Sequence, residues 1–175
     1  MENVRKLEAT VASWYEKAPR LPKEGSKWIA TNAWWLALIG VIVGTLGVLS
    51  AITVTFFAGA LLAGIGGVVG AAIGGLAFFA VFLSLLFAIV ILVITAMAIQ
   101  PLKAMSKKGW NLLFVTMLIE VASLALSFVL TFDIFGTLWS LLWAAVGGYF
   151  LFEIRQYYTS GKKVDAKHEA KPAVK

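Results

Sequence analysis

Glu120 is the one ionisable side chain set deep inside an apolar run of this 175-residue chain, ten residues after Trp110 and eleven before Thr131. A carboxylate in hydrocarbon costs several kcal/mol unless it is neutralised or paired, so such a residue is a candidate functional site by default. Thr116, Ser123 and Ser127 stand at helical spacing around it, which places all four on one face. At about 1.5 Å per residue, Thr45, Ala88 and Gly147 belong at the same depth on neighbouring helices, with Ser84, Ser140 and Trp143 slightly outward. Two uses of this carboxyl are open. It is a protonatable site that couples a proton or cation to movement of a substrate, or it is a protonated Glu that locks helix packing. In the second case it donates to Thr45 or a backbone carbonyl, or accepts from the Trp143 indole. The packing role carries more weight, because no Lys, Arg, Asp or His accompanies Glu120 inside the apolar runs.

The rest of the chain offers little other chemistry. There is no cysteine, which excludes disulfides, thiolate catalysis and thiolate metal sites, and the single histidine, His168, lies in the C-terminal tail. A histidine-ligated haem or chlorophyll within the membrane is therefore excluded. No Ser/His/Asp set, carboxylate pair, phosphate loop or metal cluster can be assembled, so no enzyme activity, cofactor or metal is expected. A net charge of +6 could suggest nucleic acid, but the basic residues flank apolar runs and no nucleic-acid motif is present. Anionic lipid headgroups are the expected counter-charge.

The elements that position Glu120 follow from how charge is distributed. All Lys and Arg residues fall in blocks 5–27, 103–108 and 155–175, whereas 28–102 carries no charge over 75 positions. Between 109 and 154 only Glu120, Asp133 and Glu153 are charged. Basic residues beside spans stay on the cytoplasmic side, so each apolar segment leaves the cytoplasm and returns. A helical span takes about 20 apolar residues, and continuous apolar runs argue for helices rather than a membrane barrel. The expected fold is an all-α polytopic bundle of four spans, near 33–57, 75–100, 110–131 and 136–158, with both termini cytoplasmic. The glycine-rich segment 58–74 is left over, as either a re-entrant piece or an extension of its neighbours. Five spans, with the N-terminus outside, compete on length. Asp133 falls in the external turn between the last two spans, and Glu153 and Arg155 at the cytoplasmic end.

Segment 1–27 reads as a cytoplasmic lead. Val4, Leu7, Val11 and Trp14 form an apolar stripe on an amphipathic helix lying on the membrane surface, ended by Pro19. Residues 159–175, rich in Lys and Ala, read as a disordered basic tail. Within the bundle, Gly40 and Gly44 form a GxxxG pair, Gly66, Gly70 and Gly74 a glycine zipper, and Gly136, Ser140, Ala144 and Gly148 a strip of small residues. Four-residue spacing of small side chains lets helix backbones approach closely.

Two stretches carry a resemblance. Lys107-Lys108-Gly109-Trp110-Asn111-Leu112-Leu113-Phe114 opens the third span, and Gly147-Gly148-Tyr149-Phe150-Leu151-Phe152-Glu153-Ile154-Arg155 closes the fourth. Together they resemble a set of small, uncharacterised bacterial four-span membrane proteins in which a K-G-W-x-L-L-F start and a Y-L-L-F-Q-I-R end recur. Here Glu153 replaces the usual Gln. The resemblance implies four spans in a bacterial cytoplasmic membrane and no particular activity. Small four-span multidrug exporters also use a lone membrane carboxylate, but in the first span rather than the third. The expected function is that of a structural or accessory membrane subunit, assembling with itself or with a membrane-protein partner through its glycine and small-residue faces. The alternative is a small proton- or cation-coupled transporter or channel using Glu120.

Overall fold

The computed structural model describes residues 2–15 and 18–159, with side chains for 6–15, 18–75 and 78–158. Most of the basic tail expected at 159–175 lies outside the described residues. The described chain is all-helical: α1 is Glu2–Tyr15, α2 Lys23–Lys103, α3 Lys107–Thr131 and α4 Ile134–Thr159. α2, α3 and α4 are each long and apolar enough to cross a membrane. The protein is therefore built as a helical membrane protein.

α2 is not one rod. Gly67 leaves the helical region at φ 56° and ψ −137° and divides the element into an outgoing arm, 23–66, and a returning arm, 68–103. A side chain at that backbone conformation would be strained, which glycine avoids. The arms then lie antiparallel. Phe56 packs edge-on to Phe78 with ring centroids 6.4 Å apart, and a Cβ on Gly44 would lie 2.7 Å from Leu92 Cδ2. The glycine-rich segment forms the closed end of this hairpin and continues both arms in helical conformation.

The turn from α2 into α3 is set by local chemistry. Pro101 does not stop the helix, which runs on to Lys103, and the Ser106 N–H then donates to Pro101 O at 2.9 Å. Met105 takes positive φ, 48°, in the turn. Gly109 follows, so close to Leu102 that a Cβ would sit 2.6 Å from the Leu102 nitrogen. At the opposite end, Phe132 closes α3 in the left-handed region and Asp133 caps α4, its Oδ1 accepting from the Gly136 N–H at 2.9 Å. That bond satisfies an N–H that the first turn of a helix leaves without a partner. Asp133 is thus a helix cap on the turn where the sequence placed it.

The packed core lies at one end of the bundle. Ala30, Ala98 and Leu102 from α2, Trp110 and Phe114 from α3, and Leu151, Ile154 and Tyr158 from α4 form one cluster, with Val11 of α1. Its neighbours are the basic blocks at Lys103, Lys107, Lys108 and Arg155. Away from this end the apolar side chains of both hairpins face outward, Ile42, Leu46, Phe57, Val129 and Phe135 among them.

Candidate functional site

α3 places Glu120 on the edge of a groove of about 200 Å³ lined only by α3 and α4: Leu113, Thr116, Met117 and Glu120 on one wall, Trp143, Ala144, Gly147, Gly148 and Leu151 on the other. Neither arm of α2 contributes to the lining, and Glu120 itself is exposed. Of the residues the sequence grouped with Glu120 or placed near its depth, Thr116, Trp143 and Gly147 share this groove. The Thr116 hydroxyl is spent on its own helix, donating to Leu113 O at 2.7 Å. Ser123 and Ser127, one and two turns further along α3, are half-buried and do not line it. Thr45 lies on the outgoing arm of α2, where its hydroxyl donates to Val41 O at 2.7 Å. Ser84 likewise donates along its own helix, to Ala80 O at 3.0 Å. Among the described residues no second ionisable group lines the Glu120 groove, and no His, Cys, Asp and Glu cluster could hold a metal ion.

The small-residue strips divide by use. On α4, Ala144 and Gly148 face the groove, and a side chain at Gly148 would collide with the Tyr15 hydroxyl and lie 3.1 Å from Met117 Sδ. Gly136 sits under the Asp133 carboxylate, and Ser140 is half-buried between these ends. In the α2 hairpin, Gly44 meets Leu92, Gly70 abuts the Leu62 carbonyl, and a Cβ added at Gly74 would lie 3.8 Å from Leu62 Cβ. Gly40 and Gly66 have open space where a side chain would be.

A denser constellation forms at the basic end, and composition alone did not point to it. The Trp110 indole N–H donates to Leu151 O at 2.7 Å, and the ring stacks on Phe114 with centroids 5.4 Å apart. Phe152 meets both rings edge-on. The Arg155 guanidinium lies 5.6 Å from the centre of the Trp110 ring and pairs with the carboxylate of Glu8, which is buried. The ring is buried while the guanidinium keeps part of its surface in the surroundings, so this cation–ring contact is partly screened. The Tyr158 hydroxyl donates to Ala30 O at 2.7 Å, and Tyr157 shares a hydrogen bond with Ser26 at 3.1 Å. On the other side of α2, Lys103 Nζ lies 5.2 Å over the Trp34 ring.

α1 completes this end. Of the apolar stripe of the sequence, Val11 is buried beside Glu8, Leu7 and Trp14 point outward, and the Val4 side chain lies outside the described residues; Glu8 and Tyr15 are the α1 side chains that engage α4. The reason is specific pairing: Glu8 finds Arg155, and Tyr15 stacks on Phe152 at 5.3 Å while its hydroxyl donates to Ala145 O. Burial pushes the Tyr15 hydroxyl above its ordinary pKa. Beside these contacts, a cavity of about 420 Å³ opens between α1, the 18–22 linker and α4, with Arg20, Tyr149, Glu153 and Gln156 in its walls. The signal for this cluster was present in the two stretches that carry the family resemblance. Trp110 and Phe114 from the first meet Leu151, Phe152 and Arg155 from the second.

No protein family, curated protein or solved structure matches the chain.

Proposed function

We propose that this chain is a structural or accessory subunit of a bacterial cytoplasmic membrane, which crosses it four times with both termini inside and assembles through the outer faces of its helices. The observation that carries this reading is the position of Glu120. It sits in an open groove lined by α3 and α4, where the Tyr15 hydroxyl lies against Gly148 and no other ionisable side chain joins the lining among the described residues. A proton or cation path needs polar partners that hand the charge onward, and the hydroxyls of Thr116, Thr45 and Ser84 are committed to their own helices. A carboxyl exposed at membrane depth favours cover by another protein surface, and a second copy of the chain is the simplest supplier. Small residues beside it, Ala144 and Gly147, leave room for a helix to approach. At the basic end, Arg20 and the lysines of the α2–α3 turn suit contact with anionic headgroups.

The alternative, a proton- or cation-coupled transporter or channel, rests on the same carboxyl. One pair of substitutions separates them. On the subunit reading, Glu120→Gln in liposomes leaves any proton-linked flux unchanged, and Glu120→Ala lowers the oligomer size measured by light scattering in detergent. Loss of a flux in Glu120→Gln, with assembly size intact, overturns it in favour of the transporter.

A further inference from the structure

Two opposite charges share the cavity between α1, the 18–22 linker and α4, and neither answers the other. Arg20 and Glu153 both line this space of about 420 Å³, yet among the described residues neither forms an ion pair with the other or with a third side chain. The remaining charge in the walls, Arg155, is already matched by the buried Glu8. The unanswered lining is therefore one positive and one negative group. Such a space selects a ligand that carries both signs, because a ligand of one sign is attracted at one wall and repelled at the other.

The fold holds the two groups in place. The Tyr149 hydroxyl donates to Pro19 O, which ties the linker to α4 one residue before Arg20, and Pro22 then leads into α2. Glu153 lies on α4 between Phe152, which stacks on Tyr15, and the buried Ile154. It is half-buried, where a carboxylate gains more from a cation than it does on an open surface. Groups fixed before a ligand arrives lose less entropy when it binds.

The chemistry of each group says what it takes. A guanidinium presents a planar fork of donors that fits phosphate oxygens in pairs. A carboxylate accepts the N–H groups of a primary ammonium, and a quaternary ammonium has none to give. The volume lies in the range of small-molecule sites. The surroundings indicate the source of the ligand. Leu7 and Trp14 point outward from α1, 48% and 71% exposed, and Trp28 near the start of α2 is 62% exposed. Exposed indoles among basic residues belong at the headgroup layer of a bilayer.

We propose that this cavity binds a phospholipid whose headgroup carries a phosphate and a primary ammonium, of the phosphoethanolamine kind, with Arg20 on the phosphate and Glu153 on the ammonium. The acyl chains stay in the bilayer. The proposal rests on the membrane reading of the chain but not on Glu120 or on assembly, so it stands or falls separately from the subunit reading.

The test is lipid retention by the full chain in detergent, read by native mass spectrometry. Phosphoethanolamine, phosphocholine and phosphoglycerol lipids with the same acyl chains are compared, and the first is expected to bind about tenfold more tightly than either of the others. Arg20→Ala is expected to weaken retention of all three, since each carries the phosphate. Glu153→Gln is expected to weaken the phosphoethanolamine lipid alone, by about tenfold, a change of selectivity that a loss of packing does not produce. Equal retention of the three lipids by the unaltered chain overturns the proposal, and this comparison needs no variant to fold. A preference for the phosphoglycerol lipid overturns it in favour of a site for anionic headgroups. Displacement of the bound lipid by free O-phosphoethanolamine at equal concentration overturns it in favour of a soluble phosphorylated amine. Failure of the chain to insert into liposomes overturns the membrane reading and this site with it, whereas an inserted chain that does not discriminate headgroups overturns the site alone.

Discussion

The basic end of the bundle and the tip of the α2 hairpin are both apolar, yet they are held by different forces. At the basic end Trp110 and Phe114 are 1% exposed and each polar atom beside them has a named acceptor or counter-charge. At the tip, Gly70 and Gly74 bring two backbones together while the large side chains point away from the protein. The first region is specified by shape and polar matching, so its contacts are particular to these residues. The second is specified by solvent, and any apolar residue of similar size serves. Lipid is as apolar as a leucine side chain, so burial against protein earns little there unless packing or a hydrogen bond is gained.

That contrast can be broken most forcefully at Trp110. Trp110→Ala removes the indole bond to Leu151 O, the stack on Phe114 and the surface under Arg155. The expected cost is about 3–5 kcal/mol, read as a fall in the midpoint of denaturant unfolding in mixed micelles. A cost below about 1 kcal/mol would mean the basic end is no more specific than the tip.

A smaller effect is expected at the ion pair. Arg155→Ala leaves the buried Glu8 carboxylate without its partner, at about 2 kcal/mol once the partial exposure of Arg155 is allowed for. A double-mutant cycle with Glu8→Ala should show coupling of about 1 kcal/mol. Protease cleavage near 18–22 should become faster in Arg155→Ala, because α1 is held to α4 through this pair and Tyr15. Independent effects of the two substitutions would detach α1 from the account of this core.

The smallest effect belongs to the tip. Ile65→Ala, at a site 82% exposed to surroundings outside the protein, should change unfolding stability by less than about 0.5 kcal/mol. A loss comparable with that of Trp110→Ala would show that the tip is buried against protein.

Much of the architecture can be read along the chain. Uncharged runs, the basic residues that bound them and the prolines of the lead are local features, and each restricts its own segment to helix, turn or interface. Asp133 could be placed in a turn for the same reason, since it interrupts an apolar run beside Thr131 and Gly136. The surroundings of Glu120 were partly accessible. Helical periodicity groups it with Thr116, and depth counting brings Gly147 to its level and Trp143 slightly outward of it, but neither tells which neighbouring helix it faces. Thr45 has a suitable depth and lies on a different element from those that line the groove.

By itself the sequence determined that this is an all-helical chain with membrane-length apolar helices, because partitioning and helix formation act residue by residue along a segment. Tertiary structure decided the rest. The long uncharged run reverses at Gly67, although Gly64, Gly66 and Gly70 are nearby glycines of the same kind, and that choice sets Gly44 against Leu92. Only the fold brings Glu8 to Arg155 and Trp110 to Leu151, residues far apart in the chain, since a charge or an indole finds its partner by proximity in space and sequence spacing does not encode it.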